Sequence, residues 1–164
     1  MNIDPNRLFN GKLILANNKE IPNYITHDEI IAITFAFLKD KGYPLSNSLR
    51  QLSIFFIPET RYGKDGIDRF LPKIFKWRTR DSTSGNYLSL ALSIKLFVPH
   101  LQNRRDFIKT LLHELDHVVW FLEHCGRFDR SKRYRARPHE KRARKTSRKW
   151  YRKAKKIASR NKPQ

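Results

Sequence analysis

The chain has 164 residues and a mass of 19.6 kDa, room for one hydrophobic core and not for two. Its 35 Lys and Arg against 15 Asp and Glu give a formal charge of +20, yet 39% of residues are apolar, which excludes a disordered polyelectrolyte. A lone cysteine, Cys125, excludes an intrachain disulfide, and the longest apolar stretch, residues 30–38, is about half of what a bilayer-spanning helix needs.

The N-terminal residues lack the apolar run of a signal peptide, so the expectation is a cytoplasmic, reducing setting. Leu13 to Ala16 and the residues after Asn17-Asn18 are expected to form a short hairpin. Thr26-His27-Asp28-Glu29 has the form of a capping box, and the apolar run that follows stops at Gly42, which predicts a buried helix. Leu52 to Ile57, β-branched and aromatic and halted by Pro58, reads as a buried strand. Ile67, Phe70, Leu71 and Ile74 have helical spacing, and Asp81-Ser-Thr-Ser-Gly-Asn86 has loop chemistry. From Leu88 to Val98 leucine, isoleucine and valine recur at every second position, the clearest strand pattern in the chain.

Asn103 is placed to cap a helix over about 104–125, ending at Gly126, with an apolar stripe from Ile108 to Leu122. Pro138 then opens a last helix with no breaker before Pro163. These elements predict an α+β fold, with a small sheet packed on the helix that starts near 104. Residues 1–137 form its body, and 138–164 add a basic C-terminal helix.

Residues 113–117 read His-Glu-Leu-Asp-His and fall in the middle of the predicted helix. Histidines four apart lie one turn apart on one face, so both imidazoles can reach a single Zn²⁺, while Glu114 stands beside the metal as general base. A catalytic zinc site takes a third protein ligand and leaves its fourth position to water. Glu123 and His124 lie about 9 Å and 10 Å further along the axis than His117, so a continuous helix carries Glu123 out of reach. His124 shares the face but has the same problem of distance, and it stays the alternative third ligand. Glu140 is the favoured candidate. It is the only acid of the last helix, and it falls three residues before Ala143 on the stripe Ala143, Ser147, Trp150, Ala154 and Ile157, which puts a carboxylate inward near the helix N-terminus.

His113-Glu114-x-x-His117 followed by Tyr134-x-x-x-Pro138-x-Glu140-x-x-Ala143 resembles the small gluzincins, minimal zinc metallopeptidases common in bacteria and phages. The likeness runs from about Leu88 to Ile157 and includes the order of strand, active-site helix and glutamate helix. It implies a zincin-like domain with one Zn²⁺ held by His113, His117 and Glu140, and Glu114 as general base. For the hydrolysis this would support, Tyr134, His124 and His139 are the candidates for stabilising the oxyanion, and the sequence does not choose among them. Zincins also place a strand at the cleft edge to pair with an extended peptide substrate, a role in which Leu88 to Val98 would serve here. Asp116 stands where the family prefers an uncharged residue. His124-Cys-Gly126-Arg-Phe128 is similar, more faintly, to the H-G-x-x-F stretch of SprT-like DNA–protein crosslink proteases, a likeness that implies His124 as a ligand.

The charge is concentrated at the end of the chain. Residues 127–164 hold 18 Lys and Arg against Asp129 and Glu140 alone, while residues 1–126 are nearly balanced, 17 against 13. Such a segment suits a polyanion. Arg133, Arg135, Arg142, Lys145, Arg148, Lys149, Arg152, Lys153 and Lys156 are the candidate contacts to DNA or RNA phosphates. The expectation is therefore a zinc metallopeptidase brought to nucleic acid or nucleoprotein by its basic helix. The alternative is a non-enzymatic nucleic-acid-binding or virion-associated protein with a structural or relict metal site.

Overall fold

A computed structural model describes residues 12–43, 51–58, 76–81, 88–124 and 131–161. Within them the chain runs β1 (Lys12–Ala16), α1 (His27–Asp40), β2 (Gln51–Ile57), β3 (Lys76–Asp81), β4 (Leu88–Phe97), α2 (Arg104–Glu123) and α3 (Pro138–Arg160). The class is α+β.

The four strands form one sheet in the order β1-β2-β4-β3. β1, β2 and β4 are parallel, and β3 runs antiparallel along β4 from Lys76 opposite Ser93 to Asp81 opposite Leu88. β1 does not turn back on itself as a hairpin. Asn17 takes a left-handed conformation, φ 61°, and leads into a short 3-10 turn over Asn18–Glu20, while its Nδ2 donates to the Phe56 carbonyl at 3.3 Å. The chain then leaves the sheet through α1 and returns as β2, the long crossover that parallel neighbours require. The helical spacing noted at Ile67 to Ile74 lies outside the described residues.

Register places like with like. Leu13, Leu52 and Leu92 share one row, Leu15, Ile54 and Ile94 the next, and Phe56 sits opposite Leu96. Leu52, Ile54, Phe56, Ile94 and Leu96 are fully buried. This face receives α2, whose Phe107 ring stacks on Phe56 with centroids 6.2 Å apart.

Both ends of α1 are built by local rules. Glu29 N donates to Thr26 Oγ1 and Thr26 N to Glu29 Oε2, a reciprocal capping box. At the far end Tyr43 N donates to Leu38 O and Gly42 N to Lys39 O, with Gly42 at φ +80°, the paired bonds of a Schellman cap. Glu29 also accepts from Arg104 at 2.7 Å, which ties the start of α1 to the start of α2.

α3 is part of the same core. Trp150, Ala154 and Ala158 belong to one buried cluster with Phe37, Leu38 and the apolar face of α2, and the Trp150 ring meets Phe37 edge-on at 5.2 Å. The inward stripe has the expected residues, with Ala158 fully buried and Ile157 half-buried.

Candidate metal centre

α2 starts at Asn103, whose Oδ1 accepts from Asp106 N at 2.9 Å. From that start the helix keeps its register through His113-Glu-Leu-Asp-His117 with no break before His124. His113 and His117 therefore project from one face one turn apart, their rings edge-on with centroids at 4.6 Å. Leu111, Leu112, Leu115 and Val118 on the other faces are fully buried and hold the helix against rotation.

α3 crosses this face with its first turn. Pro138 occupies the start of the helix, where a missing N–H costs nothing, and His139 and Glu140 point inward, each 4% exposed. Glu140 Oε2 lies 3.1 Å from His113 Nε2, Glu140 Oε1 lies 3.4 Å from His117 Nε2, and the two Nε2 atoms are 3.1 Å apart. The three side chains form a group that could hold a metal ion, each offering one ligand atom within 4.8 Å of the others. Two imidazole nitrogens and a carboxylate suit a first-row divalent ion.

The electrostatics fit that use. Burial holds the His117 imidazole below its ordinary pKa against the opposing pull of Glu140, which favours the neutral, ligating form. Burial alone would raise Glu140. The hydrogen bonds from His113 and His117, and one from Tyr134, hold it well below the usual carboxylate range instead. Glu114 is 3% exposed, and burial, followed by repulsion from Glu140, pushes its carboxyl well up. Tyr134 sits in a 3-10 turn over Tyr134–Ala136 just before α3. Its hydroxyl donates to Glu140, and burial and that bond raise its pKa.

His113, Glu114, His117, Tyr134 and Glu140 thus gather at the contact of α2 with α3. His139 joins them as a wall: its Nε2 is 3.8 Å from Glu140 Oε1 and its ring is edge-on to His117 at 5.5 Å. His124 does not join. It is exposed, stacks on Trp120 at 3.9 Å and has Nδ1 3.0 Å from the Trp120 carbonyl, because the unbroken helix carries it two turns beyond His117. Residues 125–130, with the rest of the SprT-like stretch, lie outside the described residues.

Two other expectations change. β4 is paired by β2 along Ala91–Phe97 and by β3 along Leu88–Ser93, so among the described residues the outer strand on that side is β3 and not β4. Arg142, counted above among the phosphate contacts, is turned to the body. Its Nε donates to Asp116 Oδ2 at 3.0 Å, its Nη1 to Glu123 Oε2, and its guanidinium lies 5.0 Å from the Trp120 ring centre. This accounts for Asp116 and Glu123 together. They stand seven residues apart on one face of α2, an acidic pair that a cation on the facing helix completes. The seven-residue spacing of the two acids is the signal in the sequence that points to such a cation. Lys153 also faces the body in part, with Nζ 2.9 Å from Asp40 Oδ1 and above the Trp150 ring. Arg133, Arg135, Lys145, Arg148, Lys149, Arg152 and Lys156 are exposed.

Comparison with family models, with characterised proteins and with solved structures finds no match to this chain. Among the described residues no helix is long and apolar enough to cross a membrane.

Proposed function

We propose that this protein is a zinc-dependent metallopeptidase of the gluzincin type, with His113, His117 and Glu140 as ligands. The observation that carries this reading is the close gathering of the donors: the two Nε2 atoms are 3.1 Å apart, and each lies 3.1 or 3.4 Å from one of the two Glu140 carboxylate oxygens, Oε2 for His113 and Oε1 for His117. Ligands 2.0–2.1 Å from a tetrahedral zinc stand roughly 3.3 Å from one another. Without a cation between them, two ring nitrogens and a carboxylate share this separation only if protons are placed to suit.

Zinc bound here would polarise a substrate carbonyl and bring the pKa of water towards neutrality. The chain's own residues supply the rest. Glu114 accepts a proton from the attacking water and returns it to the leaving amine, for which a pKa above the ordinary carboxylate range is the useful direction. Tyr134 orients Glu140 through its hydroxyl, and His139 closes the space behind His117 and Glu140.

Elemental analysis of protein purified without chelator tests the ligand set, and cleavage of an unfolded protein substrate tests the chemistry. Wild type and His124→Ala should each carry about one zinc per chain, and Glu140→Ala should carry none. Glu114→Gln should keep its zinc and lose about 10²- to 10⁴-fold in cleavage rate. Wild-type protein that takes up no zinc would end this reading. Undiminished cleavage, or no cleavage by a zinc-loaded wild type, would leave the metal a structural one.

A further inference from the structure

α3 sorts its charge by face. Its only acid, Glu140, is turned in among the histidines, and Ala143, Ser147, Trp150, Ala154 and Ala158 are buried. Opposite them Lys141, Lys145, Arg148, Lys149, Arg152 and Lys156 are exposed. Among the described residues none of these six pairs with a carboxylate, whereas Arg142 and Lys153, at the margins of the stripe, both do. Lys141, Lys145, Arg148 and Lys149 also line one open groove with Arg144.

The stripe is a row. Its cations have neighbours three or four residues away over about 22 Å of helix, a step of roughly 4.5–6 Å. Like charges at these spacings repel and work against the helix that carries them. An anion with regularly repeated charge removes that repulsion along the whole row.

The kind of polyanion follows from what the stripe lacks. An interfacial helix holds a membrane by an exposed apolar face, and the apolar face of α3 is buried in the core. Binding of single strands relies on aromatic platforms for unstacked bases, and none of the six positions is aromatic. A duplex backbone needs only cations.

We propose that the outward stripe of α3 is a docking surface for the phosphodiester backbone of double-stranded nucleic acid. It binds through phosphates, with little sequence preference. The proposal stands independently of the metal centre, which uses the opposite face of the same helix. If both hold, a protein attached to a duplex is the substrate class brought to the site.

Fluorescence anisotropy of a labelled 20-base-pair DNA, titrated with the full chain from 50 to 200 mM monovalent salt, tests it. Six phosphate contacts give a slope of log K against log salt of about −5, a loss of about 10³-fold across that range. The triple variant Lys145→Gln, Arg148→Gln, Lys149→Gln should reduce the slope to about −3 with the zinc content of wild type. The control triple Lys19→Gln, Lys39→Gln, Arg105→Gln removes as many cations elsewhere and should leave the slope near −5. Equal losses in the two triples would make affinity a matter of net charge and overturn the stripe. So would tighter binding to phosphatidylserine vesicles, or to a single strand of the same length, than to the duplex.

Discussion

The guanidinium of Arg142 reaches from α3 to Asp116 on α2, Nε to Oδ2 at 3.0 Å, one residue before His117 and two residues after Glu140. Asp116 is 1% exposed, so its charge has no water to answer it. The pair crosses the contact that brings Glu140 to the histidines, and Glu123 and Trp120 hold the same guanidinium from further along α2. On the proposed reading of Glu140 as third ligand, Arg142 would be its positioning residue.

Arg142→Ala should therefore do two things. Leaving a buried carboxylate unpaired should cost about 3 kcal/mol of stability in urea denaturation. Zinc affinity, measured by chelator competition on the variant while folded, should fall by about tenfold or more, as for other partners that orient metal ligands. Arg142→Lys keeps the charge and loses the planar fork, so it should recover part of the stability and less of the affinity. Unchanged affinity in a folded Arg142→Ala would make the clamp structural only.

What the sequence made legible was what is local. The Thr26–Glu29 capping box, the Asn103 cap, the stop at Gly42 and the His113–His117 spacing each depend on residues within one helical turn, and the inward position of Glu140 follows from the period of α3. What escaped depends on distant partners. β3 carries Lys76, Arg78, Arg80 and Asp81 among its six residues, and it is a strand because β4 pairs with it. β1 resembled half a hairpin because only its pairing with β2, across α1, sets its direction. Arg142 is not distinguished in sequence from its neighbours on α3; Asp116 and Glu123 on the facing helix are what set it apart.

Asp40 gives a pH-dependent contact with a definite sign. It accepts from Trp150 Nε1 at 2.9 Å and from Lys153 Nζ at 2.9 Å, joining the end of α1 to α3. The hydrogen bonds from Lys153 and Trp150 hold its carboxyl below the ordinary value of 3.8. A carboxyl with a lower pKa in the folded state stabilises fully above its unfolded pKa, and this contribution is lost as pH falls through the folded value. The side chain is 39% exposed, so the contribution should stay under about 1 kcal/mol. The stability gap between wild type and Asp40→Asn should be constant from pH 7 to about 5 and shrink below pH 3.8. A gap that widened in acid would contradict the assignment.

Gly42 sits at φ +80° as the residue after the cap of α1, and a Cβ built there meets nothing within 4 Å. Any cost of Gly42→Ala is thus backbone strain and not a clash. For an alanine in the left-handed region it should be about 1–2 kcal/mol, read as a shift of the urea midpoint at constant slope. Gly42→Asn should cost less, since asparagine tolerates that region better.

Removal of metal should separate the two faces of α3. A ligand that binds only the folded chain stabilises it by mass action, by about 4 kcal/mol when present at a thousand times its Kd. For a chain of this size that corresponds to roughly 10 °C in Tm. A strong chelator should therefore lower the Tm of zinc-loaded wild type by about that much, and of His124→Ala equally, while Glu140→Ala should not respond. Duplex binding at 100 mM salt should survive the same treatment, because Lys145, Arg148 and Lys149 face away from His113, His117 and Glu140. Duplex affinity lost with the metal, at a temperature where the apo chain is still folded, would mean that the outward face depends on the inward one.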